Sequence, residues 1–356
     1  MNDWHLIPHT PVKWLVDGLL PADGYSALCG KPKAGKSTAI RNLIASVVKS
    51  RPFLGRPVNV PESGGRVLYV HLDRKDKPAR VVAELKTLGI TSPDEVSRLH
   101  LMVAEDLPSG SFQDRLDWLK SRITDAKPHL IVIDLLWQFV CATNANDYKA
   151  TLDGINALQD ALNQVAYEGA LVVAIHGRKA TNPDQPFDDV LGSTGQRGSF
   201  STLLMLTQYR REQKYTIMSD QTEREAPWGE LDETVIERNA DGTLSLGQSF
   251  AELESGNKRA KRESDIQRLL KFLEVNPGSE TEEIMVKLAM SKAHLLQLLA
   301  TIDGLIYRTG RGVKGDPLKY FLRPLDDTHP PSVQAETLPT AQREAEEMIN
   351  EYVTPN

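Results

Sequence analysis

The chain has 356 residues, 40% hydrophobic and 25% charged, with a formal net charge of -6 and a pI near 5.8. That length can hold one large core and a smaller second unit. The acidic balance excludes a general positive field for nucleic acid, so any such contact must come from local basic patches. No apolar run approaches the roughly 20 residues that cross a bilayer, which excludes a membrane-spanning helix as an expectation, and the first residues, MNDWHLIPHT, carry no secretory pattern. The two cysteines, Cys29 and Cys141, sit in or beside apolar runs without metal-ligand spacing. They read as buried thiols of a reducing, cytoplasmic setting.

Taken in chain order, strand-length apolar runs recur at 25–29 (YSALC), 66–72 (RVLYVHL), 129–137 (HLIVIDLLW), 170–175 (ALVVAI) and 203–207 (LLMLT). Helix-compatible segments fall at 37–50, 78–89, 111–126 and 150–169. This alternation predicts an α/β core with a mostly parallel sheet covered on both faces. After Thr207 the pattern becomes strand, turn, strand: 214–220, 233–239, the Asp241-Gly242 turn and TLSLG. Those segments predict antiparallel strands extending one sheet edge.

The polar, basic stretch 254–264 interrupts the apolar periodicity and is expected to link a core over 1–253 to a second unit over 265–323. Helices over 265–276, 279–290 and 291–304, followed by a hairpin over 305–322, predict a small winged-helix unit. Ser279 with Glu282, and Ser291, are N-cap signals, and Gly304 is the stop of the third helix. The tail 324–356 opens Pro-rich and ends acidic. It is expected to be a flexible segment or a docking one, with a weak helix near 339–352.

Between the first predicted strand and helix, Gly30, Gly35, Lys36 and Ser37 satisfy G-x-x-x-x-G-K-[ST] in the context that motif needs. The loop Gly30, Lys31, Pro32, Lys33, Ala34, Gly35, Lys36, Ser37 and Thr38 is therefore expected to bind ATP through its phosphates. Glycines let N–H groups turn inward, the helix N-terminus faces the negative charge, and Lys36 adds an ammonium. Ser37 offers a hydroxyl to Mg²⁺, and Asp134, pushed out at the end of LIVID, is the matching carboxylate.

Asp73 follows the run RVLYVHL. It reads either as the acid that polarises an attacking water or as a turn former ahead of RKDKPAR. His176 follows five apolar residues and reads either as a sensor of the terminal phosphate or as a structural histidine. Arg178 and Lys179, next along the chain, are candidates for phosphate or nucleic-acid contact. The polar loops 141–150 and 178–199 are candidate nucleic-acid surfaces, the second carrying Arg197. In the C-terminal unit, Lys292, Arg308, Arg311 and Lys314 are candidates for duplex phosphates, with docking of a replication protein as the alternative.

With the loop, Asp73, Asp134 and His176 in that order, residues from roughly 10 to 250 resemble the RecA-like ATPases, in particular the hexameric replicative helicases related to plasmid RepA. The carriers are KWLVDGLLPADGYSALCGKPKAGKST and the His-x-x-Lys strand end in VVAIHGRKA. The resemblance implies a homo-oligomeric, hexameric ring with nucleotide between subunits and an arginine finger from the neighbour. Arg210 and Arg211 are the finger candidates, and Arg197 is the alternative. It further implies a DNA motor stimulated by single-stranded DNA in the replication of a plasmid, phage or mobile element. An ATP-binding switch with slow turnover is the rival reading, and a RecA-type recombinase is a third. Two departures stand out. Asp73-Arg74 replaces the family's usual Glu and following acid, and no primase or dimerisation domain of the kind found in larger helicases is expected ahead of the loop.

Overall fold

The computed structural model of the chain describes residues 11–140, 148–177, 187, 199–209, 214–221 and 231–323. Cys141, Arg178, Lys179, Arg197, Arg210, Arg211 and the tail with its expected helix lie outside the described residues. The chain divides into two compact units, Met1–Ala251 and Glu252–Asn356.

In the first unit, β1 (Trp14–Val16) and β2 (Leu20–Pro21) form a small antiparallel pair. The main elements are β3 (Tyr25–Gly30), α1 (Lys36–Val48), β4 (Val67–His71), α2 (Pro78–Thr87), α3 (Pro93–Ser97), β5 (Leu99–Val103) and α4 (Phe112–Ala126). They continue as β6 (Leu130–Asp134), α5 (Leu136–Phe139), α6 (Tyr148–Gln164), β7 (Ala170–His176), β8 (Thr202–Tyr209), β9 (Lys214–Gln221), β10 (Thr234–Arg238) and β11 (Leu244–Ser249). One sheet of nine described strands runs β11-β10-β9-β8-β3-β7-β6-β4-β5. From β8 to β5 all neighbours are parallel, while β9, β10 and β11 extend the β8 edge antiparallel.

The strands need no polar face because both faces are covered. Leu28, Tyr69, Val132, Val172 and Leu204 enter one core with α1 and α2 residues such as Ile40, Ile44 and Val81. The alternate residues Ala27, Leu68, Ile131, Val173 and Leu203 enter a second core with Leu119 of α4 and Leu158 of α6. The period of two along each strand thus feeds two cores, and each fully buried Leu, Ile or Val contributes about 1.5–3 kcal/mol.

One boundary and two short elements differ from the sequence expectation. The run 129–137 is not one strand: β6 stops at Asp134 and Leu136 starts α5. Leu135 enters one core and Leu136 the other, so both residues after the strand end stay buried. The short edge strand β5 and the five-residue α3, capped reciprocally by Ser92 and Glu95, carry too few residues to show a period.

The second unit contains most of α7 (Phe250–Val275), then β12 (Ser279–Glu280), α8 (Thr281–Leu288), α9 (Lys292–Thr301), β13 (Ile306–Thr309) and β14 (Lys319–Leu322). A three-stranded antiparallel sheet has the order β12-β14-β13. Leu269, Leu273, Ile284, Leu295, Leu298 and Tyr320 form the core. The expected linker 254–264 is helical, the first half of α7. Its residues are mostly good helix formers, and Glu254–Lys258 and Arg259–Glu263 pair across one turn. Ser291 caps α9 by accepting from His294 N–H at 3.3 Å. Ser279 does not cap α8: it lies in β12 and its hydroxyl donates to Asn276 O at 3.0 Å. The third helix ends at Thr301, ahead of Gly304. No helix among the described residues is long and apolar enough to cross a membrane.

Candidate functional site

The strand order sets β3, β7, β6 and β4 side by side, so the residues that follow their C-terminal ends share one rim, the usual ligand side of an open α/β sheet. A cleft of about 750 Å³ opens there. Pro32 to Thr38, Asp73, Asp134 and His176 all line it, so four segments remote in sequence meet in one volume.

The loop after β3 is shaped by two glycines. Gly35 has φ of 93° and begins α1 without any side-chain cap, a backbone state that costs a residue with a Cβ. A Cβ on Gly30 would meet Leu206 O at 2.6 Å, so the neighbouring β8 strand also forbids a side chain there. An uncapped helix start leaves the first-turn N–H groups for an anion.

Lys36 is the only loop side chain that is both charged and buried, at 6% exposure. Its Nζ donates to Gly30 O at 2.7 Å and Lys31 O at 3.1 Å, and lies 3.1 Å from His176 Nδ1. Burial lowers its pKa to about 8, opposed chiefly by the Asp134 charge and also by that of Asp73. Burial, and next the Lys36 charge, lower His176 to about 4. The imidazole is therefore neutral at neutral pH, and its Nδ1 accepts from the ammonium. The His176 ring also packs on Trp137, centroids 4.8 Å apart. Cys29, at the end of β3, is a buried free thiol pushed up to about 12, chiefly by burial.

Asp134 is 1% exposed. Burial raises its pKa, countered by His71 and Lys36 and reinforced by the Asp73 charge. Tyr69 hydroxyl reaches its Oδ2 at 3.4 Å. A buried carboxylate and a serine hydroxyl that line the same cleft suit a hard cation that keeps several waters, so Ser37 and Asp134 fit Mg²⁺. No cluster of three or more His, Cys, Asp or Glu side chains among the described residues could hold a metal by itself.

Asp73 lies beyond β4. Its Oδ1 accepts from Lys75 N–H at 3.0 Å and its carbonyl from Asp76 N–H at 3.0 Å. The two sequence readings of this residue are therefore not exclusive in space: it caps a turn and lines the cleft.

Sequence reasoning passed over Arg41, Lys75, Asp76, Arg80 and Tyr215, which also line the cleft. Arg41 of α1 is 2% exposed and bridges the carboxylates of Asp76 and Glu84. A lone arginine among apolar residues in STAIRNLIASVV was the available signal, since a buried cation needs a partner. The basic DNA candidates lie in the second unit. Lys292 begins α9, Arg308 lies on β13, and Arg311 and Lys314 lie in the β13–β14 connection, all exposed; Arg311 Nε donates to Asp316 Oδ2 at 3.1 Å.

A family model described as an AAA domain matches residues 2–182, a span that holds the phosphate loop, Asp73, Asp134 and His176. No curated protein matches the chain.

Proposed function

The chain belongs to the AAA-domain family, and from that premise we propose that it is an ATP-hydrolysing, DNA-dependent motor of the RepA helicase type. The family and the mostly parallel central sheet fit a RecA-like P-loop ATPase. The observation that carries the hydrolytic reading is the meeting of Lys36, Asp134, Asp73 and His176 around one cleft. The loop N–H groups and Lys36 hold the phosphates, and Ser37 and Asp134 would hold Mg²⁺, which supplies positive charge to the phosphate oxygens. Asp73 orients a water toward the terminal phosphorus. The new O–P bond forms as the bond to the bridging oxygen breaks, leaving that electron pair on ADP while the water's proton departs by way of Asp73.

The DNA part of the proposal rests on the second unit. Helix, strand, two helices and a hairpin follow in the order of a winged helix, which supports that reading, and Lys292, Arg308, Arg311 and Lys314 are exposed on it. His294 Nε2 lies 3.0 Å from Asp265 Oδ2, so its ring is engaged and phosphate contact is favoured over base reading by α9. Single-stranded DNA in a hexameric ring, with Arg210, Arg211 or Arg197 as the finger and Arg178 and Lys179 on the strand, completes the motor. Action in the replication of a plasmid, phage or mobile element belongs to the same reading. The steady-state rate of ATP hydrolysis with Mg²⁺ is expected to rise severalfold on adding single-stranded DNA. An unchanged low rate, with tight ATP binding, would favour an ATP-controlled switch, a reading supported by the engagement of the Asp73 carboxylate in its own turn.

The Lys36 environment gives a second expectation. Burial lowers its ammonium to about 8, and bound phosphates favour the charged form. Binding therefore takes up a proton once the pH exceeds that value. Affinity for ADP is expected to be flat near pH 7 and to weaken by up to about tenfold per pH unit above 8. Calorimetry in buffers of different ionisation enthalpy reads that proton directly.

A further inference from the structure

The turn between β4 and α2 is more tightly bonded than a connection requires. Asp76 N–H closes it on Asp73 O, and Lys75 N–H donates to the Asp73 carboxylate. His71 Nε2 lies 2.7 Å from Asp76 O, while Arg41, rooted in the phosphate-loop helix, grips the Asp76 carboxylate and that of Glu84 on α2. A turn fixed from the sheet and from two helices presents its side chains in defined directions.

What it presents to the cleft includes Lys75. Arg80, the other cation on this wall, is committed: its Nε lies 3.0 Å from Glu84 Oε1 and 3.9 Å from Asp76 Oδ1. Lys75 is exposed and has no ion-pair partner among the described residues. Its charge is felt at His176, which it helps to hold neutral after burial and Lys36 have acted. Lys75 therefore projects its field across the cleft to His176.

We propose that Lys75 is a catalytic cation supplied by the same chain, meeting the terminal phosphate of ATP from the wall that carries Asp73 while Lys36 meets it from the loop. This rests on the hydrolytic reading above. As water adds to the terminal phosphorus and the bond to the bridging oxygen breaks toward ADP, negative charge shifts along the phosphate oxygens, and an ammonium carried on the fixed turn stabilises it. Neutralisation at this wall then does not wait for a residue from a neighbouring subunit.

The test uses the full chain and the variants Lys75→Ala, Lys75→Arg and, as a control outside the cleft lining, Lys77→Ala. Two quantities are read: ATP turnover with Mg²⁺, and retention of ADP in the presence of Mg²⁺ and aluminium fluoride relative to ADP alone. Lys75→Ala is expected to lower turnover about 100-fold and to abolish the fluoride-dependent retention, with affinity for ADP alone within about twofold of the parent. Lys75→Arg keeps the charge and should keep most of both, and Lys77→Ala should match the parent. Normal turnover in Lys75→Ala overturns the assignment and leaves the hydrolytic reading standing. If the parent shows no turnover, the hydrolytic reading fails. Retention then decides Lys75: loss in Lys75→Ala upholds it as a terminal-phosphate cation, and equal retention overturns it.

Discussion

Lys36→Ala is expected to reduce ATP turnover by at least about 10³-fold and to weaken ATP binding severely, because the substitution removes the one buried cation of the phosphate loop. That ammonium is held by Gly30 O, Lys31 O and His176 Nδ1. It must exchange those partners for phosphate oxygens, so the alanine variant loses the incoming interaction and leaves two loop carbonyls without their donor. Nucleotide binding measured by fluorescence titration, with thermal unfolding recorded in parallel, separates the two effects. Turnover in the variant close to that of the parent would remove Lys36, and with it the phosphate-loop reading, from the mechanism.

Asp73→Asn should have a different signature: turnover down by about 10²–10⁴-fold, the usual worth of a positioned general base, with nucleotide affinity close to that of the parent. Asparagine preserves the carbonyl-type oxygen that accepts from Lys75 N–H, so the turn can persist while the negative charge facing the water is lost. A parallel loss of binding would mean that Asp73 acts mainly by holding the turn. An unchanged rate would exclude it as the acid that handles the water. Single-turnover measurements keep chemistry apart from product release.

The legible part of this protein was its phosphate chemistry. Gly30, Gly35, Lys36 and Ser37 are neighbours in sequence, and a loop that wraps an anion with its own backbone must be written locally. Asp134 could be read because a carboxylate after Leu130–Ile133 can only emerge where a buried strand ends. Arg41, Lys75 and Asp76 were not legible as a group. Their meaning lies in α1, the post-β4 turn and α2 being brought together by packing, and a single arginine in an apolar helix does not announce its partner. The helix over 254–264 was missed for the opposite reason: its apolar period is absent, and short-range propensity with exposed ion pairs supports it instead.

The sequence by itself determined the strand-and-helix alternation, the antiparallel extension and the phosphate loop, because each rests on residue spacing within one segment. Only the tertiary structure decided that β7 and β6 stand between β3 and β4, that Lys36 is bonded to His176, and that Arg41 clamps the turn carrying Asp73 and Lys75. Those are contacts between segments from 35 to 140 residues apart. Their geometry is set by how two cores close on the faces of one sheet, which no local pattern of residues encodes.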